Sequence, residues 1–259
     1  MEVRAEVTTS GPGDWDAGTY DRIADPMTRW GVSVLDRLDL QGDDTVLDAG
    51  CGSGRVTEQL LERLPRGHVV ALDAAPSMMA EARRRLARAG GRVSFAQADL
   101  LELSPATLDG RAPVDAVLST ATFHWVLDHA RLFANLASVM RPGAVLEAQC
   151  GAAGNIEGLL AAVRRVGGER AGTWNYATVE DTERRLVAAG FGDINVWTHP
   201  EPTPIAPEEL ETYLATVCLR IHVADMESDE RTAFLRSVAG AMDEPVIDYV
   251  RLNISARRA

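Results

Sequence analysis

The chain has no lysine, so every basic side chain among its 26 Lys+Arg positions is arginine. Neither the Lys-Ser/Thr end of a phosphate-binding loop nor the Tyr-x-x-x-Lys pair of a short-chain dehydrogenase can be present. Positive charge is scarce as a whole: 26 basic residues against 38 acidic ones leave a formal charge of −12. Without a basic run, the chain is a poor partner for duplex nucleic acid or an anionic membrane, although a fold can still enclose a local basic pocket. Cysteine is scarce too. Cys51, Cys150 and Cys218 are an odd count with no paired spacing, which points to a reduced setting rather than a disulfide framework. No apolar run is long enough to span a bilayer, and residues 1–13 read as a polar, glycine-containing tail rather than a leader, so a cytoplasmic protein is expected. No Gly-x-Ser-x-Gly elbow occurs. His124 and His129 lack metal-ligand spacing, so no metal is expected. Aromatic residues are only 5% of the chain, which makes the grouping of Trp15, Tyr20 and Trp30 near the start notable. They either pack this leading segment on the core or, through Tyr20, cover a ligand. With 259 residues the chain can bury a full core, and one large α/β domain with a covering segment is the expected organisation.

What is present is centred on Thr45-Val-Leu-Asp-Ala-Gly-Cys-Gly-Ser-Gly-Arg55. Thr45 to Leu47 read as a buried strand that ends at Asp48, and Gly50, Gly52 and Gly54 read as a loop. Val56, Leu60, Leu61 and Leu64 then keep one apolar helical face. Glycine lets the backbone turn sharply and come close to a ligand that a Cβ would block. The helix start offers free N–H groups to an anionic group. A dinucleotide fingerprint needs its third glycine at position 55, which is Arg55; the spacing here is Gly-x-Gly-x-Gly.

Strand-like and helix-like runs alternate after position 40. Strands are expected at His68–Leu72, Arg92–Gln97, Val114–Leu118, Gly143–Gln149, Ile194–Thr198 and about Val246–Ala256. Helices are expected at Pro76–Ala89, His129–Met140, Ile156–Val166 and Thr178–Ala189, and two more at about Pro207–Val223 and Ser228–Met242. Asp25-Pro26 opens a helix with Met27, Trp30, Val34 and Leu38 on one face. Pro200, Pro202, Pro204 and Pro207 read as a stiff connection. The last strand alternates Val250, Leu252 and Ile254 against Arg251, Asn253 and Ser255. Such alternation implies βαβ units and a parallel sheet covered on both faces.

Three places carry chemistry beyond the loop. Asp73 ends the second strand 23 residues after Gly50, where an acid can accept both hydroxyls of an adenosine ribose. Asp99 follows the third strand, where the plain alternative to a ligand contact is a helix or turn cap. The fourth strand runs into Phe123-His124-Trp125, at the carboxyl edge where open α/β sheets bind ligands. His124 fits two roles, taking a proton from a hydroxyl or orienting a substrate. Trp125 either walls off water or, with Phe123, joins the core.

Together these segments resemble a class I S-adenosylmethionine-dependent methyltransferase of the trans-aconitate methyltransferase-like group. The likeness rests on Val46–Gly54, Val70–Asp73, Gln97–Leu100, Asp115–Trp125 and Arg141–Gln149, with Leu146–Asn155 and Trp174-Asn175-Tyr176 carrying the subgroup. It implies a Rossmann-like α/β fold: a seven-stranded, mostly parallel sheet with helices on both faces, an antiparallel last strand and a helical lid. The implied divisions are an N-terminal tail and helical cap (1–40), a cofactor-binding core (41–206), the lid (207–243) and the final core strand (244–259). The implied cofactor site is Tyr20, Asp48, Gly50, Gly52, Gly54, Asp73, Ala74, Met78, Ala98, Asp99, Leu100 and Ser119, with Asp99 receiving the adenine amino group. His124 and Trp125 would flank the reacting methyl group, and Tyr20, Trp174, Tyr176 and His222 would meet a small-molecule substrate. For His222, a buried structural histidine is an equal reading. The implied reaction is direct SN2 methyl transfer to an oxygen nucleophile, a carboxylate or a hydroxyl. A protein that binds S-adenosylmethionine without methylating and a nicotinamide oxidoreductase are the alternatives; the glycine spacing and Asp99 disfavour the second. Two departures narrow the acceptor. The segment after the fourth strand is not the Asn/Asp-Pro-Pro-Tyr of many amino-group methyltransferases. His124 also stands where some relatives have Gln, so trans-aconitate itself is not implied. Ala74 and Ala75 replace the Ser or Thr often found after the ribose-binding acid. Arg22, Arg29, Arg220 and Arg251 are the candidates to hold an anionic group.

Overall fold

The computed structural model describes residues 25–168 and 174–259. Trp15, Tyr20 and Arg22 lie outside the described residues. Seven strands form one sheet in the order β3-β2-β1-β4-β5-β7-β6. Strands β1 (Thr45–Ala49), β2 (His68–Asp73), β3 (Val93–Gln97), β4 (Val114–Thr120) and β5 (Met140–Gly151) pair in parallel. Strand β7 (Val246–Arg258) runs antiparallel between β5 and β6 (Phe191–Pro204). The expected seven-stranded sheet with its last strand reversed is therefore present.

Helices α1 (Asp25–Leu35), α2 (Arg55–Arg63), α3 (Pro76–Arg85), α4 (His129–Val139), α5 (Glu157–Arg165) and α6 (Val179–Ala188) surround the sheet. Because both faces are covered, β1 and β2 are apolar without alternation: Val46, Leu47 and Val69 to Leu72 are all buried. One core joins Leu47, Val70, Val117, Phe133, Leu146, Leu252 and Ile254. The opposite face seats Val34 and Leu35 of α1 with Leu60 and Leu61 of α2 on Val46, Val69 and Leu118. Thr178 starts α6 by accepting a hydrogen bond from Asp181 N at 3.1 Å, as expected of a capping threonine. The chain leaves β1 for β2 and β3, then returns to place β4 on the other side of β1. That reversal opens a crevice at the carboxyl ends of β1 and β4, where α/β sheets hold ligands. No helix among the described residues is long and apolar enough to cross a membrane.

Three features go beyond or against the pattern of the sequence. First, Pro200, Pro202 and Pro204 belong to β6 rather than to a connection, opposite Val250, Asp248 and Val246. Strand β6 is an edge, and proline is tolerated where its missing N–H would point away from the neighbour. The neighbour agrees: Val250 N and O and Asp248 O bond Asn155 Oδ1, Ala152 N and Ile156 N, not β6. Second, the polar face of β7 is not solvated. Arg251 and Asn253 are 2% and 1% exposed, because α1 and the segment after it cover that face. Third, the helix expected over 207–223 is broken. It comprises α7 (Leu210–Tyr213), a wide turn in which Leu219 N donates to Leu214 O at 2.7 Å, and α8 (Arg220–Val223). Such i→i+5 turns recur at functional sites. Helix α9 (Ser228–Ala241) matches its expected span. These helices pack with α1, α5, Ile247 and Tyr249 in a cluster distinct from the two sheet cores.

Candidate active site

The glycine loop is pinned to the end of β2, where Leu72 O accepts from Gly50 N at 2.8 Å and Cys51 N at 2.9 Å. Gly50 and Gly52 hold φ values of +85° and +54°, in the left-handed region that favours glycine. A Cβ at Gly50 would overlap the Thr122 side chain, whereas one at Gly52 would meet nothing within 4 Å among the described residues beyond its chain neighbours. The crest of the loop therefore faces open space. Asp73 reaches across to it: Oδ2 accepts from Gly52 N and Oδ1 from Ala75 N, both at 2.9 Å. Burial raises the Asp73 pKa, against the pull of these N–H groups. Ala98 N donates to Asp73 O at 3.2 Å, which ties the residue before Asp99 to the end of β2. Asp99 Oδ1 accepts from Leu101 N at 2.8 Å and caps a short turn over Leu100–Glu102.

Asp48 is 1% exposed. Thr57 donates to its Oδ2 at 2.6 Å, and its Oδ1 has no partner. Burial pushes its pKa up to about 7. Met78 and Leu100 are buried and Ala74 is exposed. The Ser119 hydroxyl donates to Ala49 O at 2.7 Å, tying β4 to β1.

Beyond β4 the backbone passes through Ala121, a non-glycine residue at φ +55°. Strain of this kind, roughly 1–3 kcal/mol, is typical of sites that fix a following side chain. The next turn carries Phe123, His124 and Trp125. Its Phe123 carbonyl bonds the His129 Nε2 at 2.9 Å, so His129 is part of the scaffold. The His124 ring stacks on Tyr176 with centroids 5.9 Å apart, and Trp174 stacks on Tyr176 at 5.6 Å. Trp125 lies 6.1 Å from Trp174, and His222 lies 5.3 Å from it. Five predicted residues from three stretches of chain thus meet in one aromatic cluster. Four of them, His124, Trp125, Trp174 and Tyr176, line a pocket of about 40 Å³ together with Arg251, Asn155 and Trp30, whereas His222 is not in its lining and touches it only through Trp174. Of the four candidate arginines the wall takes Arg251; Arg29 is exposed.

Gly151 N donates to His124 Nδ1 at 3.3 Å. Burial, with the Arg251 charge next, holds the His124 pKa well below the usual histidine range. The ring is therefore neutral, its Nδ1 lone pair is engaged, and its proton sits on Nε2. Burial likewise raises the Tyr176 pKa, and the Asn155 side chain hydrogen-bonds this tyrosine. Sequence reasoning missed Asn155, Ala121 and Trp30. Ala121 and Asn155 lie inside stretches that carry the family likeness, but nothing in those stretches marks them as pocket residues, and Trp30 read only as part of an apolar helix face or an aromatic group.

A family model described as a methyltransferase domain matches residues 46–143, from β1 to the start of β5. The chain is 36% identical over 185 residues to a trans-aconitate 2-methyltransferase of Methylobacterium nodulans, covering 71% of this chain and 67% of that protein. It is 38% identical over 136 residues to a trans-aconitate 2-methyltransferase of Acidovorax ebreus, covering 52% of this chain and 49% of the relative, so that alignment spans about half of each. Among solved structures, phosphoethanolamine N-methyltransferase 2 of Haemonchus contortus, in complex with S-adenosyl-L-methionine, superposes with a TM-score of 0.58 at 18% identity, over 89% of this chain and 52% of that one. The glycine crest facing open space, the two acids beside it and these relatives agree: the chain belongs to the class I S-adenosylmethionine-dependent methyltransferases, in the trans-aconitate methyltransferase-like group.

Proposed function

We propose that this methyltransferase acts on the carboxylate oxygen of a small, mostly apolar acid. The observation that carries the reading is the hydrogen bond from Gly151 N to His124 Nδ1. A neutral ring already protonated on Nε2 is a donor, not a base. An alcohol or phenol must lose a proton to be methylated, and His124 is in the wrong form to take it. A carboxylate is ionised at neutral pH and needs only to be oriented. The name of the relatives, methyltransferases of trans-aconitate, supports the same nucleophile.

The residues fit the cofactor. Space is open at Gly52, and the buried Asp48 Oδ1 lacks a donor that an ammonium group would supply. Asp73 would hold the ribose, Asp99 the adenine amino group, and Gly50 to Gly54 would let the backbone approach. Bound there, S-adenosylmethionine would supply an activated methyl group on a sulfonium, which an ionised carboxylate oxygen can accept without a base. The chain's own task is alignment and exclusion of water, worth up to about 7–11 kcal/mol when the reacting atoms are well placed. His124 Nε2–H and the aromatic walls orient the acceptor, and the 207–243 helices act as the cover.

Asp73→Ala is expected to weaken S-adenosylmethionine binding about 10- to 150-fold, through lost charge-assisted hydrogen bonds of ~1.5–3 kcal/mol. Calorimetry reads this directly, and an unchanged dissociation constant removes the ribose assignment. For the acceptor, acids and phenols are screened for release of S-adenosylhomocysteine. Acids are expected to turn over; methylation of only an amine or a carbon centre refutes the reading. His124→Ala should then lower kcat/KM about tenfold, the worth of one hydrogen bond, equally from pH 6 to pH 9. A defect that vanishes at high pH would assign a base acting on a hydroxyl.

A further inference from the structure

Behind the pocket, β5 and β7 carry a row of buried polar side chains that no part of the methyl transfer uses. Glu147, Gln149, Arg251 and Asn253 are 3%, 4%, 2% and 1% exposed. They face one way because they alternate along paired strands: Gln149 is opposite Asn253, Glu147 opposite Ser255 and Gly151 opposite Arg251. The row begins with an ion pair. Arg37 Nε donates to Glu147 Oε2 at 2.6 Å, and the Ser255 hydroxyl donates to Glu147 Oε1 at 2.6 Å.

From that pair the direction of every hydrogen bond follows. Arginine only donates, so Arg37 Nη1, 3.1 Å from Asn253, must face the oxygen of that amide. The same oxygen accepts from Gln149 at 3.0 Å, which places the Gln149 nitrogen there. Gln149 is left to present its oxygen to Arg251 Nε at 3.3 Å. Neither amide can flip without setting donor against donor. The Arg251 guanidinium is also held from a second side by Trp30, whose ring centroid lies 4.5 Å from its central carbon. This guanidinium lines the pocket between Trp30 and Tyr249.

We propose that Arg251 is the anion subsite of the acceptor pocket, and that Gln149 is the positioning residue that fixes its guanidinium there. The subsite takes a carboxylate attached to a flat or apolar body, which the Trp174, Tyr176 and Val217 surfaces receive. The inference rests on the reading of this pocket as the acceptor site, and it makes an arginine-to-carboxylate contact the source of selectivity.

Binding tests it without turnover. Phenylacetate and its neutral isostere phenylacetamide are titrated against the full chain with S-adenosylhomocysteine present, read by the quenching of the pocket tryptophans. The unaltered chain should favour the acid by more than about tenfold, as a charge-assisted pair in a buried site should. Arg251→Leu should erase the preference, and Arg251→Lys, which keeps the charge but loses Nε, should restore part of it. Gln149→Leu should reduce the preference to about a third or less while S-adenosylhomocysteine binds as before, because the guanidinium loses one of the contacts that set its geometry. Gln149→Glu, of the same shape, should abolish the preference by setting a fixed carboxylate against Arg251. Equal binding of acid and amide by the unaltered chain overturns the subsite. An intact preference in folded Gln149→Leu overturns the positioning role. If acids bind selectively and none is methylated, the subsite stands and the carboxylate-methylation reading falls.

Discussion

Gly52→Val is expected to lower S-adenosylmethionine affinity by more than about 100-fold while leaving a folded protein. Two effects act together. A β-branched residue at φ +54° is strained by about 1–2 kcal/mol or more, which the loop relieves by moving. Whatever remains in place projects into the open space at the crest, where no described residue beyond its chain neighbours lies within 4 Å. Because nothing in the protein is hit, loss of stability should stay near the strain alone. Gly50→Val is the contrasting case. Its side chain would run into Thr122, whose hydroxyl donates to Gly50 O at 3.2 Å and Thr120 O at 2.9 Å, so the junction of β1 and β4 has to open. Thermal denaturation should show a large loss for Gly50→Val, and calorimetry a selective binding loss for Gly52→Val. Near-normal affinity in Gly52→Val would reduce the loop to a tight turn.

Asp48→Asn should make the ligand-free protein more stable and the cofactor site worse. The folded pKa of about 7 stands above the usual 3.8 because the carboxylate is buried with one oxygen unpartnered. Between those values the native state holds a proton that the unfolded chain has released. Stability therefore falls as pH rises through this window, by roughly 4 kcal/mol at most, and stays low above it. An asparagine keeps an oxygen for the Thr57 hydroxyl and carries no charge. At pH 8 the variant should gain about 2–4 kcal/mol, the cost of its unused amide being deducted, and at pH 4 close to nothing. Denaturant unfolding at the two pH values measures the difference, and a gain independent of pH would show that the charge is not the cause. Affinity for S-adenosylmethionine should fall about tenfold or more, since an amide nitrogen would replace a charged acceptor.

The sheet and the glycine crest were legible from local pattern. Thr45 to Leu64 shows a strand period, then glycines, then a helical period, and the structure follows it closely. The proline run was misread because three prolines deny a central strand but not an edge strand, and edge position is a property of the sheet. The burial of Arg251 and Asn253 was not legible for a related reason: the alternation on β7 does not tell that α1 covers its polar face. Of the site, His124, Trp125, Trp174, Tyr176 and His222 were each visible in sequence and expected around one acceptor; the ring-to-ring packing that joins them was not, since it depends on where β5, β6 and β7 place Trp174 and His222. The state of His124 was not legible at all. It depends on a backbone N–H at Gly151, and a backbone donor leaves no trace in composition or spacing.

The prolines of β6 also bear on what this sheet does in company. At Pro200, Pro202 and Pro204 the rim away from β7 has carbonyl groups but no N–H groups, over a stretch where both would otherwise alternate. A foreign strand laid along that rim finds only half of the ladder it needs, and three rigid rings stand in its way. Growth of the sheet by self-addition, the route by which exposed strands seed fibrils and runaway assembly, is thereby closed along that half of the rim.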